Sequence, residues 1–457
     1  MTRSQMQFDF IITDPVSNPK PGKSIQIRSR CMQGRNKRED SRRTQREKRR
    51  MAKETTAIVV PDRTLHPSMT LSPKLLTRDA IPIQFAGHGI DSEAKSLIAN
   101  VFVFNFLATD VTPLERCVNL DCLESSCFSW LFMDTMFLHS ILCASYASKE
   151  FKSPHWKGNP GVRTTFHLQA TLSSLRVKMQ ETHAYQDESV LRVIINLALL
   201  AITFGDWVAG ATHLEGLLEI VQLRGDAAFL KGRPTLHFKL DRTDLAWYLS
   251  TGRKPYFMQP IKSWDCRVAP NLQPPADLYQ PSTAWDSRIV NVFKDFQKLS
   301  LLIGRNRLKF VINDPAICHG DLNSLQTRLL CLADIVTKPI EELVRLTMLA
   351  MLTSTFKLPG RDIPYDWVAE RLRSTYITVR SEIRHDKSLL LWVVLTASIT
   401  VARAHEPWIR DGWKAAAAGL TWKKVEAQLL KVMWIEIVHS KPGKKVHNQF
   451  SNVNSSS

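Results

Sequence analysis

Residues 206–225 read DWVAGATHLEGLLEIVQLRG, and this stretch sets the fold class. Leu214, Leu217, Leu218 and Val221 recur at helical spacing on one face, and Gly225 stands where a helix ends in a left-handed residue. The same period runs outward in both directions. Upstream, residues 91–108 carry Leu97, Val101, Phe104 and Leu107 behind Asp91 or Ser92 as caps, and residues 125–147, 162–181 and 187–203 continue the pattern. Strand-type alternation is nearly absent. Downstream, six prolines between 255 and 285 mark a loop, after which 284–302, 322–336, 340–353, 367–384, 389–404 and 421–438 read as helices. The expected class is all-α, with a large helical domain over residues 91–439. The tail 440–457, rich in Lys, Asn and Ser, is expected to be disordered.

Three segments precede that domain. Residues 1–24 hold a short apolar run and a turn-prone stretch, residues 25–53 form a basic arm, and residues 54–90 read as a Pro-rich linker. The arm is IQIRSRCMQGRNKREDSRRTQREKRRMAK. Residues 20–53 contain 14 basic and 3 acidic side chains, a net of +11 out of +18 for the whole 457-residue chain. Such a segment builds no core, so it is expected to be disordered and to bind polyanions. The residues assigned to nucleic-acid or import-receptor contact are Arg28, Arg30, Arg35, Lys37, Arg38, Arg42, Arg43, Arg46, Lys48, Arg49 and Arg50. Lys48–Arg49–Arg50 with Arg42–Arg43 suits a nuclear import receptor as well as a phosphate backbone, and the two uses are compatible. The arm lacks interleaved aromatics, which favours phosphate contact over base stacking.

Composition bounds the rest. With 44% hydrophobic side chains the chain can bury a sizeable core. Eight scattered cysteines do not make a disulfide framework and suggest a reducing compartment. The N-terminus lacks the apolar run of a secretory signal, and the apolar runs 193–204 and 389–401 are shorter than the ~20 residues of a bilayer span, so no membrane association is expected.

The chemistry-bearing motifs are sparse. A binuclear zinc reader needs six cysteines opening with C-x2-C-x6-C, and the arm has Cys31 alone. Cys117, Cys122 and Cys127, with His139 and Cys143 beyond, invite a metal reading; against it, the later members fall in a stretch that looks helical, where buried or surface cysteines are the ordinary explanation. A basic leucine zipper is stopped by Pro61 and Pro67. No phosphate-cradling glycine motif, nucleophile elbow or cofactor fingerprint is present, so neither a cofactor nor an enzymatic activity is expected. His213, near Glu215, reads as a packing or hydrogen-bonding residue. Asp241 and Asp244 flank Arg242 in a short helix, as an ion pair or a cap. Twelve tryptophans, among them Trp130, Trp207, Trp247, Trp392 and Trp434, suit core packing, with an aromatic-lined ligand cavity as the alternative.

Two segments, ATHLEGLLEIVQLRGD (211–226) and LDRTDLAWYLSTGRKPYF (240–257), resemble the helical regulatory domain of fungal-specific transcription factors. The matching positions are Ala211, His213, Leu217, Val221, Arg224, Gly225, Arg242, Asp244, Gly252, Pro255 and Phe257. Asp226 stands in place of a second glycine and Tyr248 in place of an alanine. FDFIITDP (8–15) and IRSRCMQGRNKR (27–38) are similar to the opening of a subgroup without the zinc cluster, with Arg30 and Cys31 replacing its usual His and Val; 389–392 and 429–434 are similar to its late Leu/Trp elements. The resemblance implies a nuclear, all-helical regulatory or effector-sensing module that controls transcription, with transcriptional coregulators and a homo-oligomer among its partners. Direct DNA binding through the arm is a separate expectation, since the zinc reader is missing. A coregulator or scaffold that uses the arm only for import is the competing reading.

Overall fold

The computed structural model describes residues 90–98, 130–151, 153, 155–156, 158–231, 233–258, 260–305, 315–354 and 365–454. All belong to a unit spanning Leu71–Ser457. Helical turns at 92–98 and 130–133 precede fourteen α-helices, numbered in chain order. The first group is α1 (Thr135–Phe151), α2 (Val162–Lys178), α3 (Glu188–Phe204), α4 (Trp207–Leu223), α5 (Asp226–Lys231) and α6 (Pro234–Thr251). After the loop come α7 (Ser287–Arg305), α8 (Pro315–Cys331), α9 (Pro339–Thr353), α10 (Asp366–Ile383), α11 (Lys387–Thr400), α12 (Pro407–Ala417), α13 (Trp422–Val432) and α14 (Glu436–Asn454). No strand occurs among the described residues, in keeping with the all-α expectation.

Local chemistry sets many of these boundaries. Asp91, Asp134, Asp187, Asp206 and Asp386 each accept a hydrogen bond from a backbone N–H two or three residues on, satisfying a donor that a helix start leaves free. Gly205, Gly225 and Gly252 end α3, α4 and α6 with φ of 76°, 97° and 70°. Three helices, α3, α9 and α11, are buried on nearly every side, which accounts for the apolar runs noted in the sequence. The others pack around them: α1 on α2 and α3, α4 and α6 on α3, α10 on α9, and α12, α13 and α14 on α11. One continuous apolar core runs from Ala94 to Phe450. No described helix is long and apolar enough to cross a membrane.

The structure corrects several expected elements. The helix expected over 125–147 is interrupted at Asp134, whose carboxylate starts α1 afresh. The helix expected over 421–438 is broken at Met433, which is extended (φ −175°, ψ 107°) so that Met433, Trp434 and Ile435 can all enter the core. Arg242 lies in an 18-residue helix, not a short one. Helix α12 was not expected; Pro407 at its first turn and the buried Trp408, Ile409, Gly412 and Trp413 define it.

The largest correction concerns the tail, expected to be disordered over 440–457. Residues up to Asn454 are helical despite Pro442, which removes one donor from the helix ladder. Val446, His447 and Phe450 share a buried face, and Phe450 stacks on Trp413 with centroids 4.7 Å apart. Polar composition concealed three well-spaced anchors. The helical body therefore extends beyond residue 439.

The proline-bearing loop between α6 and α7 is held by buried polar groups. The fully buried Asp295 carboxylate accepts from the N–H groups of Arg267 and Val268 at 3.0 and 3.1 Å and from Arg328 Nη2 at 2.7 Å. Arg328 also donates to the carbonyl of Asp265 at 3.3 Å. Tyr279 donates through its hydroxyl to Asp386 at 2.6 Å and through its N–H to the carbonyl of Lys431 at 2.8 Å. Besides its own short turns, the loop is thus bonded to α7, α8 and α13 and to the N-cap of α11.

Candidate functional site

The eleven basic residues assigned to contact in the arm, Arg28 to Arg50, lie outside the described residues, as do Cys117, Cys122 and Cys127. The remaining members of the cysteine series have other partners. His139 Nδ1 lies 2.8 Å from His167 Nδ1, and Cys143 Sγ donates to the carbonyl of Thr164 at 3.5 Å. Burial, then the nearby Glu150 charge, pushes the Cys143 thiol up to about 12, and burial, then His139, holds His167 down to about 4. Among the described residues no group of three or more His, Cys, Asp or Glu side chains could hold a metal ion.

The helices of the two segments that carry the resemblance both pack on α3, and the segments meet where Tyr256 reaches Glu215. Helix α4 ends at Leu223; Arg224 donates through Nε to the carbonyl of Tyr185, and its guanidinium lies 4.8 Å from the Phe229 ring centroid. Gly225 takes φ +97° and Asp226 follows at φ +52°, so the residue that replaces a second glycine holds the conformation glycine adopts most readily. His213 is half-buried on α4, where desolvation lowers its pKa.

Asp244, on α6, forms a clasp. Its two carboxylate oxygens accept from the N–H of Tyr256 at 2.7 Å and of Phe257 at 2.5 Å, tying the turn after Pro255 to the helix one layer beneath. Phe257 is thereby buried in the core. Tyr256 in turn places its hydroxyl 3.5 Å from Glu215 Oε1 on α4, and a Cβ at Gly210 of α4 would lie 3.4 Å from the Trp247 ring of α6. Burial pushes Asp244 up to about 7 against the two N–H groups, which pull it down. Asp241, one turn away, is raised well above the carboxylate range by burial and then by Asp244. Arg242 lies 4.7 Å from the Phe238 ring and donates to the carbonyl of Leu352 at 3.4 Å. Neither sequence reading describes Asp244, which lies inside α6 and accepts from the loop that follows it; Asp241 Oδ2 lies 3.4 Å from His237 Nε2.

The loop that the clasp holds borders, through Pro255 and Met258, a cleft of about 410 Å³ between the end of α6, the loop, the end of α8, α9 and the start of α10. Its size falls within the ~300–1,000 Å³ of small-molecule sites. Tyr248 and Trp367 meet edge to face at 5.0 Å on one side, with Pro255, Met258 and Leu330 completing the apolar lining. Gly252 is required at the corner twice over, by its φ of +70° and because a Cβ would strike the Trp367 indole. Arg345 is fully buried and grips Glu342 through Nε at 2.6 Å and Nη2 at 2.9 Å, while Nη1 donates to the carbonyl of Leu329 at 3.0 Å. Arg371 lies 3.6 Å from the same Glu342 carboxylate. Lys254 and Asp334 also line the cleft, and both charges act on the half-buried Cys331 thiol, whose pKa burial raises.

The lining joins an aromatic pair to mixed charge, with Lys254, Arg345 and Arg371 on one hand and Asp334 and Glu342 on the other. Of the positions that match the resemblance, Gly252 and Pro255 line the cleft directly, with Asp244 and Phe257 holding the loop that shapes it. Trp247, Trp392 and Trp434 are core residues, as the packing reading holds. Tyr248, Glu342, Arg345, Trp367 and Arg371 were missed as site residues. One signal was available: Glu341, Glu342 and Arg345 sit at the start of a mostly apolar helix, where buried charges must be satisfied internally. No family model matches the chain, and neither does any curated protein or solved structure.

Proposed function

We propose that the protein is a nuclear transcription regulator of fungal type, whose helical body is the regulatory module and whose basic arm serves nuclear import and contacts DNA. One observation carries this reading: the two segments that resemble the fungal-specific regulatory domain assemble into a single local unit, with Asp244, Tyr256 and Glu215 linking α6, its loop and α4. Three residues that match the pattern have architectural work: Gly225 ends α4, Asp244 clasps the loop, and Phe257 fills the core. The adjoining cleft is the proposed effector site. Coregulators and a second copy of the chain are the proposed protein partners.

The test follows the full chain and a full-chain variant in which the eleven basic arm residues become Gln. The variant is expected to lose nuclear accumulation. On duplex DNA, neutralisation of about 6 phosphates by the arm gives a log K against log salt slope about 5 units steeper for the intact chain than for the variant. Loss of import with an unchanged slope would leave a coregulator that uses the arm only for import. An unchanged cellular distribution together with an unchanged slope would overturn the proposal.

A further inference from the structure

Helices α13 and α14 meet at Gly443. A Cβ there would lie 2.9 Å from Trp422 Cη2 and 3.0 Å from Trp434 Cζ2, so no larger residue fits without displacement. One turn further, His447 fixes the same crossing, with Nε2 2.9 Å from the carbonyl oxygen of Leu420 and its ring edge-on to Trp422 at 5.8 Å. Trp422 is thereby pinned against α14; Lys423 and Lys424 follow it in α13, and Lys441, Lys444 and Lys445 flank Gly443 in α14. All five lysines are exposed. Among the described residues none of the five is in a salt bridge.

The charge here is predominantly positive: α13 and α14 carry six lysines against Glu426 and Glu436. No Asp or Glu occurs from residue 412 to 425 or from 437 to 457. Lys441, Lys444, Lys445 and Asn448 follow at i, i+3, i+4 and i+7, on one exposed face of α14, with Gln449 beside them. Val446 and Phe450 of the same helix are buried. Apart from the exposed Ile437 of α14 and Leu430 of α13, the crossing offers Lys, Asn, Gln and Ser, which is too little apolar surface for insertion into a bilayer interface. Ammonium groups with amide donors between them, fixed on a rigid crossing, are the chemistry of phosphate-backbone contact.

We propose that the α13–α14 crossing is a phosphate-contact surface for duplex nucleic acid, carried by the helical body through residues other than those of the arm. It contacts the backbone and reads no base sequence. It adds to whatever the arm contributes and does not depend on it.

The test is fluorescence anisotropy of a labelled duplex against salt, with the full chain and a full-chain variant in which Lys423, Lys424, Lys441, Lys444 and Lys445 become Gln. Five phosphate contacts correspond to a loss of about 4–5 from the log–log slope. The same loss is expected when the substitutions are made in the arm variant described above, which separates this surface from the arm. A milder variant, Lys441→Gln with Lys445→Gln, should lower the slope by about 2, and circular dichroism verifies that each variant is folded. An unchanged slope in folded variants overturns the proposal. So does an unchanged slope accompanied by lost binding to phosphatidylserine vesicles, which would assign the lysines to a membrane surface, or by lost nuclear accumulation, which would assign them to an import receptor.

Discussion

Replacing Asp244 probes the clasp that joins the resemblance segments and shapes the cleft. In Asp244→Ala, the N–H groups of Tyr256 and Phe257 lose their acceptors at a buried position. Each orphaned donor costs about 1–3 kcal/mol, so the alanine variant should lose about 2–6 kcal/mol. Asp244→Asn keeps one acceptor and should lose less. The two variants also differ from the parent in pH dependence. Burial disfavours the charge and pushes the carboxyl up to about 7 in the fold, from an ordinary value of 3.8. A raised folded pKa means that the proton stabilises the folded state: the contribution is full below about 3.8 and lost as pH rises through about 7. Between pH 5 and pH 8 this amounts to about 3 kcal/mol of stability lost by the parent and not by Asp244→Asn. Urea unfolding at both pH values should therefore give the asparagine variant its larger deficit at pH 5. Amide hydrogen exchange should show protection at residues 256 and 257 that the alanine variant loses. A deficit equal at both pH values, or unchanged exchange at those two amides, would refute the reasoning.

Three further substitutions probe other parts of the structure. Gly225→Ala places a side chain at φ +97° with nothing within 4 Å to clash against, so a loss of about 1–2 kcal/mol in denaturant unfolding would be pure backbone strain. Arg328→Met leaves the fully buried Asp295 carboxylate without its cation and should cost about 3–5 kcal/mol; a loss below about 1 kcal/mol would show that the loop is held by other means. Phe450→Ala removes the stack on Trp413 and should cost about 3–5 kcal/mol, with exchange protection lost through α14; a stability equal to the parent's would restore the disordered-tail reading.

How much could be read in advance depended on the range of the interactions involved. The ends of α4, at Asp206 and Gly225, follow from short-range capping and left-handed backbone chemistry, and both were visible in the sequence. Asp226 was flagged as a departure from the family pattern; only the backbone shows that it takes positive φ in glycine's place. The helical tail was hidden because Phe450 is anchored by Trp413, a partner 37 residues away, within an otherwise Lys- and Ser-rich stretch. The cleft was hidden for the same reason: residues near 248–258, 330–345 and 367–371 meet only through the packing of α6, α8, α9 and α10. The basic arm was the most conspicuous feature of the sequence and lies outside the described residues, so its role rests on charge alone.

The most direct measurement of the central proposal is genome-wide chromatin occupancy of the intact chain, run beside the full-chain variant with the arm's basic residues changed to Gln. A regulator that reaches DNA through the arm, or is tethered there by a partner, should be enriched at discrete loci, with that enrichment lost when the arm can no longer support import. An intact chain that enters the nucleus and shows no enrichment at discrete loci would contradict the transcription-regulator assignment.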